Sequence, residues 1–106
     1  MAFDEVLADR LRDLLPHAVE KRMFGGVAFM ERGNLVVGVL GEDVIARIGP
    51  DAAPSALAED GVRVFDITGR PMKGWVVVGP DGMTDDDDLE KWVARCRAFV
   101  GDLPAK

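Results

Sequence analysis

Residues that carry much of enzyme and metal chemistry are scarce in this 106-residue chain, which has one cysteine, one histidine and no tyrosine. The single Cys96 cannot form an internal disulfide, which fits a reducing compartment. One histidine and one cysteine also cannot supply the usual four ligands of a structural zinc site. A catalytic dyad would need Cys96 beside His17, but Cys96 falls on the apolar stripe of a predicted helix. We therefore predict no catalytic residue, no cofactor and no metal.

The chain also lacks a long hydrophobic run and an excess of positive charge. Its formal net charge is −6, so nucleic-acid binding would need a local basic patch to overcome repulsion from the phosphate backbone. No stretch approaches the roughly 20 apolar residues that cross a bilayer. The N-terminus alternates charged with apolar residues and offers no signal-peptide core. We expect a cytoplasmic protein with no membrane partner, formed by a single domain over residues 1–106.

Hydrophobic periodicity predicts a helix at each end of the chain. The first helix ends at Pro16, and its apolar face comprises Phe3, Val6, Leu7, Leu11, Leu14 and Leu15. The last helix is predicted to start at Thr84 as its cap, with aspartates at 85–88 near the positive end of the helix dipole. Its apolar face comprises Leu89, Trp92, Val93, Cys96, Phe99 and Val100. A short, weak helix is predicted within residues 51–60.

Five short apolar runs rich in β-branched residues predict strands. They span residues 26–30, 35–40, 44–48, 62–67 and 75–78. Short turn-forming links join the first three into an antiparallel meander. The element order is then α-β-β-β-α-β-β-α, with no strand–helix alternation that would demand parallel crossovers. This predicts an α+β fold of two layers, a five-stranded antiparallel sheet with helices on one side.

Both faces of the predicted sheet are largely apolar, with Arg47 and Arg63 as the obvious interruptions. A sheet covered by helices on one side usually shows polar residues on the other. Either helices or loops cover both faces, or the second face is buried against a partner or a second copy.

Two glycine-containing stretches supply the remaining candidates for function. In GRPMKGW, residues 69–75, two cations stand in a Gly/Pro loop ahead of an apolar strand. Arg70 and Lys73 could be directed at one anion; alternatively, Arg70 pairs with an acid such as Asp66 while Trp75 covers the edge of the core. In RMFGG, residues 22–26, the paired glycines before a strand indicate close backbone packing or a bulge.

Together these two stretches resemble the TfoX (Sxy) N-terminal domain family, over roughly Val6 to Phe99. The resemblance implies a fold also seen in secretion chaperones, and no established catalytic site. Full-length relatives regulate DNA-uptake competence, carry a helical C-terminal domain and act with the cAMP receptor protein on transcription. Because this chain stops at Lys106, we expect that second domain to be absent. The residues that match the motifs, and are our candidates for binding a partner, are Arg22, Phe24, Gly25, Gly26, Arg70, Pro71, Lys73, Gly74 and Trp75.

The first hypothesis for function is a small regulatory module that binds another protein or itself, as a homodimer. A second is contact with nucleic acid through a local patch formed by Arg22, Arg70, Lys73, Arg47 and Arg63. A third is an enzyme or small-anion binder that uses Arg70 and Lys73, although the sequence offers no paired general acid and base or activated nucleophile for it.

Overall fold

A six-stranded antiparallel sheet forms the centre of the structure, a computed structural model that describes residues 4–23, 25–66, 73–83 and 85–105. In chain order the elements are α1 (Glu5–Leu14), β1 (Val19–Met23), β2 (Gly26–Glu31), β3 (Asn34–Leu40), β4 (Asp43–Arg47), α2 (Ala53–Ala56), β5 (Val62–Val64), β6 (Trp75–Val78), a 3-10 turn (Pro80–Gly82) and α3 (Asp86–Val100). The strands lie side by side in the order β1-β2-β3-β4-β6-β5, and every neighbouring pair is antiparallel. The predicted α+β class with an antiparallel sheet is confirmed, but the predicted number of five strands is wrong.

The additional strand is β1, which precedes the predicted meander. Its sequence, VEKRM, has three consecutive charged residues and no alternation of apolar with polar side chains. Four of its five residues are exposed, because β1 lies at the edge of the sheet. An edge strand has a free side and needs no buried apolar stripe. Hydrophobic periodicity therefore could not detect it.

The structure also shortens or shifts several predicted elements. The weak helix predicted for residues 51–60 is a four-residue helix with Pro54 in its first turn. The strand predicted for residues 62–67 ends at Val64. The cap of α3 is Asp85, whose carboxylate accepts a 2.9 Å hydrogen bond from the Asp88 backbone N–H; the predicted cap, Thr84, lies outside the described residues. Aspartates in this first turn match the helix dipole as expected.

Helices α1 and α3 pack their apolar faces on one side of the sheet. The predicted face of α3 is confirmed, with Phe99 half-buried at its margin; its buried residues are Leu89, Trp92, Val93, Cys96 and Val100. On α1 the buried residues are Leu7, Ala8 and Leu11, whereas Val6 is 70% exposed. The prediction was therefore wrong for Val6, because the neighbouring Leu7 and Leu11 define the direction in which α1 faces the core.

The C-terminal end of α3 is tied to the sheet by Arg32, in the turn between β2 and β3. The Arg32 backbone is left-handed (φ +53°). Its guanidinium donates hydrogen bonds of 3.1 and 2.9 Å to the carbonyl oxygens of Val100 and Gly101. Carbonyl groups at a helix end lack partners within the helix, and a cation also matches the negative end of the helix dipole.

The two faces of the sheet differ in what covers them. Residues from α1, α2 and α3 all belong to one large core cluster, on the face that carries Val27, Phe29 and Val44. The opposite face, called here the second face, carries a smaller cluster of Ile45, Phe65 and Val77, bordered by half-buried Leu40 and Trp75. Within the described ranges, no helical residue belongs to this second cluster. Among the described residues, helices therefore cover one face only, while the cluster on the other face is buried without them.

The longest described helix, α3, has 15 residues. No helix in the described part of the chain is both long and apolar enough to span a bilayer.

Candidate functional site

The first motif forms the turn between β1 and β2. Met23 faces Gly26 across this two-residue turn. A Cβ atom on Gly26 would lie 1.9 Å from the carbonyl oxygen of Val39 on β3, so only glycine fits there. Gly25 is exposed, with a left-handed backbone (φ +78°). Close backbone packing, predicted for this glycine pair, is confirmed at Gly26; Phe24 lies outside the described residues.

The second motif leads into β6 through Gly74. Its backbone is left-handed (φ +84°), and its carbonyl oxygen accepts hydrogen bonds of 2.9 and 3.0 Å from the N–H groups of Ile48 and Gly49. A Cβ atom on Gly74 would lie 3.0 Å from the backbone nitrogen of Pro50. The glycine therefore holds a tight junction between the start of β6 and the end of β4. Lys73 before it is exposed.

Trp75 lies at the margin of the second face, where it contacts an aromatic ring and a cation. Its ring centroid is 5.9 Å from that of Phe65. The Arg47 guanidinium lies 5.3 Å from the Trp75 ring and 5.8 Å from the ring of Phe99 on α3. Such distances allow cation–π attraction. Trp75 therefore covers the edge of the second cluster, as predicted, and Arg47 is held between two aromatic rings.

The structure does not bring the two motifs together. The strand register places Val27, Val39, Val44 and Val78 at one level of the sheet. Gly26 lies beyond that level at one end, whereas Gly74 lies beyond Trp75 at the other end, three strands away. Spacings of about 4.8 Å between strands and 3.3 Å between residues put these glycines roughly 20 Å apart. The described residues of the two loops therefore do not line one pocket.

The cations proposed for a basic patch are likewise dispersed. Arg22 lies on β1 and Arg63 on β5, which form opposite edges of the sheet. Arg63 forms an ion pair with Asp43 at the start of β4. Arg47 is engaged by the two rings described above, and Lys73 lies at the end of the sheet opposite to the first motif. Arg70 and Pro71 are outside the described residues.

A charged hollow between α1 and β1 was not predicted from the sequence. It is lined by Glu5, Ala8, Asp9, Arg12, Glu20, Lys21, Arg22 and Val27. Two hydrogen bonds, of 2.6 and 2.7 Å, join the Arg12 guanidinium to the two carboxylate oxygens of Glu20, and Arg12 also pairs with Asp9. The hydrogen bond from Arg12 lowers the pKa of Glu20. The charged residues of β1, VEKRM, were the signal of this hollow that the sequence offered. The tertiary fold determines which residue of α1 pairs with them.

The thiol of Cys96 has the properties of a core side chain. It is fully buried among the residues of the main core. Burial raises the pKa of the Cys96 thiol to about 12, so the reactive thiolate is scarce at neutral pH. In the part of the chain that the structure describes, no group of three or more His, Cys, Asp or Glu side chains is placed to hold a metal ion.

A known protein family matches most of the sequence. The family model for the TfoX N-terminal domain matches residues 9–100. This range includes both glycine motifs, all six strands and α3. No curated protein and no solved structure matches the chain. Because the match covers most of its length, this chain belongs to the TfoX N-terminal domain family.

Proposed function

We propose that this chain is a small, non-catalytic regulatory module that acts by binding protein, either a second copy of itself or another chain. Membership of the TfoX N-terminal domain family supports a role of the kind that competence regulators have. The proposal includes one domain over residues 1–106 and a cytoplasmic location.

The observation that carries this proposal is the margin of the second face of the sheet. Ile45, Phe65 and Val77 in its centre are already buried within the chain, although no described helix contributes to that cluster. At its margins Leu40 and Trp75 are half-buried. These two apolar side chains are the part of the face that a partner can reach, and apolar and aromatic side chains of this kind are common at protein interfaces.

The loop before β6 is the proposed contact that gives the face its specificity. Lys73 is exposed beside the half-buried Trp75, and Arg70 and Pro71 precede it in the sequence. A tryptophan anchor flanked by positive charge suits a partner that presents an acidic residue beside an apolar one. In this proposal Gly74 shapes the loop, and Arg22, Gly25 and Gly26 belong to a separate contact about 20 Å away. Phe24, which lies between them in the sequence, is proposed to take part in that contact. The dispersed cations favour protein over nucleic acid or a small anion as the ligand.

Affinity capture from the native lysate tests this proposal. The bait proteins are wild type, Lys73→Glu and a control, Lys91→Glu. Lys91 is an exposed residue of α3, in the helical layer, and its substitution changes the net charge by the same amount. Circular dichroism and light scattering first establish that all three are equally folded.

We expect wild type and Lys91→Glu to capture the same protein, and Lys73→Glu to lose it. Equal capture by all three would contradict a docking role for the loop. If both variants lose the captured protein alike, capture depends on overall charge, and this outcome also contradicts the proposal.

A further inference from the structure

The edge strand β1 presents backbone groups in a defined pattern. Because Met23 faces Gly26 across a two-residue turn, the backbone N–H and C=O of Met23 point towards β2. Alternation along the strand directs those of Val19 and Lys21 the same way, and those of Glu20 and Arg22 towards the outside of the sheet. An edge with outward N–H and C=O groups is a template for another strand.

The charges of β1 select one register for pairing with a second copy. An antiparallel ladder requires outward-pointing residues to face one another, so it can be centred on Glu20, Lys21 or Arg22. Centring on Glu20 opposes two carboxylates, and centring on Arg22 opposes two guanidinium groups. Like charges directly opposite destabilise a sheet. Only the register centred on Lys21 places each Glu20 opposite an Arg22.

We infer that two copies of this chain pair through β1 in this register, which joins their sheets across a two-fold axis. The inference rests on the self-association that the proposed function includes, and it names the surface. Pairing of β1 with its own copy is closed, since each chain uses its one β1 edge, and no further copy can add there.

Side chains on both faces of the strand fit this pairing. Glu20 already accepts two hydrogen bonds from Arg12, and a carboxylate has room for about four. Arg22 of the partner copy can therefore bind the remaining positions. On the other face, Val19, which is 62% exposed, would lie opposite Met23 of the partner and lose much of that exposure.

Charge repulsion and a small buried area both limit the stability of the dimer. Each Lys21 faces its own copy across the axis, where the opposed Cα atoms are only about 4.5 Å apart, so their charges repel. A five-residue strand also buries less than the roughly 1,200 Å² of a stable interface. We therefore expect a dissociation constant of about 10–100 μM.

A charge exchange tests the register. Sedimentation equilibrium would compare wild type, Glu20→Lys, Arg22→Glu and an equimolar mixture of the two variants. Each variant alone opposes like charges twice, so its self-association should weaken by about 10-fold or more. In the mixture, position 20 of one variant faces position 22 of the other with opposite charges at both sites. The mixture should therefore recover dimer formation at the wild-type level.

A third variant tests the same surface without disturbing the pair between Arg12 and Glu20. Lys21→Thr removes the opposed lysines, and we expect it to tighten the wild-type dimer by about 3- to 10-fold. Melting curves establish that each variant is folded, which matters most for Glu20→Lys because it breaks the contact with Arg12.

The outcomes separate this inference from the proposed function. A wild-type dimer that no β1 substitution alters would overturn the β1 interface and leave self-association to another surface. If each variant alone associates more weakly than wild type and the mixture also fails to associate, the register centred on Lys21 would be overturned. A wild-type protein that stays monomeric at about 1 mM would overturn both the interface and self-association.

Discussion

Replacing Gly74 by alanine should destabilise the fold by about 2–4 kcal/mol, although it removes no side-chain contact. The left-handed backbone (φ +84°) costs an L-residue roughly 1–2 kcal/mol. The new Cβ would lie 3.0–3.2 Å from backbone atoms of Gly49 and Pro50, which cannot turn aside as a flexible side chain would. Any shift of Gly74 also stretches the two hydrogen bonds that its carbonyl accepts, each contributing about 0.5–1.5 kcal/mol.

Urea unfolding followed by circular dichroism measures this cost. The matched control is Lys73→Ala, one residue earlier, because Lys73 is exposed and its truncation should change the free energy of unfolding by less than about 0.5 kcal/mol. Equal losses of unfolding free energy for the two variants would refute the conclusion that Gly74 shapes the backbone while Lys73 is a surface residue. So would a Gly74→Ala protein as stable as wild type.

Three further predictions concern other parts of the fold. Gly26→Ala should cost more than about 3 kcal/mol in urea unfolding, since its Cβ meets a β3 carbonyl at 1.9 Å, whereas Gly25→Ala carries only the left-handed cost of about 1–2 kcal/mol; equal costs would contradict the close approach. The buried thiol of Cys96, with its pKa raised to about 12, should resist a thiol reagent at pH 8 until denaturant is added; rapid labelling of the folded protein would count against it. Arg32→Ala should lower stability by about 1–2 kcal/mol through loss of two hydrogen bonds to carbonyl groups at the end of α3; unchanged urea unfolding would show that this cap contributes nothing.

The sequence was informative where burial imposes a period. The apolar spacing of α3 identified its buried face because a long helix packed on a sheet must keep one stripe apolar. The same principle fails for β1, whose position at the edge of the sheet leaves it exposed. Val6 shows a finer limit. Val6 and Leu7 are adjacent apolar residues, about 100° apart around the helix axis, so the sequence alone does not show which of them faces the core.

The residue types of the candidate site could be predicted from the sequence, but their relative positions in space could not. The sequence predicted close backbone packing or a bulge for the pair Gly25 and Gly26. In the structure, Gly26 and Gly74 both have contacts that only glycine tolerates easily. Their separation depends on β6 pairing with β4 and on the strand register, which no local pattern encodes. The pair between Arg12 and Glu20 likewise exists because α1 lies beside β1 in space.

Association through protein surfaces, with β1 as one of them, is tested most directly by ¹H–¹⁵N spectra of the wild-type protein over a dilution series from about 1 mM to about 20 μM. The amide signals of Glu20 and Arg22 should shift with concentration, because their N–H groups enter hydrogen bonds to the second copy. The signals of Lys73 and Trp75 should stay constant in the purified protein. Spectra that superimpose at all concentrations, or shifts confined to residues outside β1, would contradict the inferred β1 dimer.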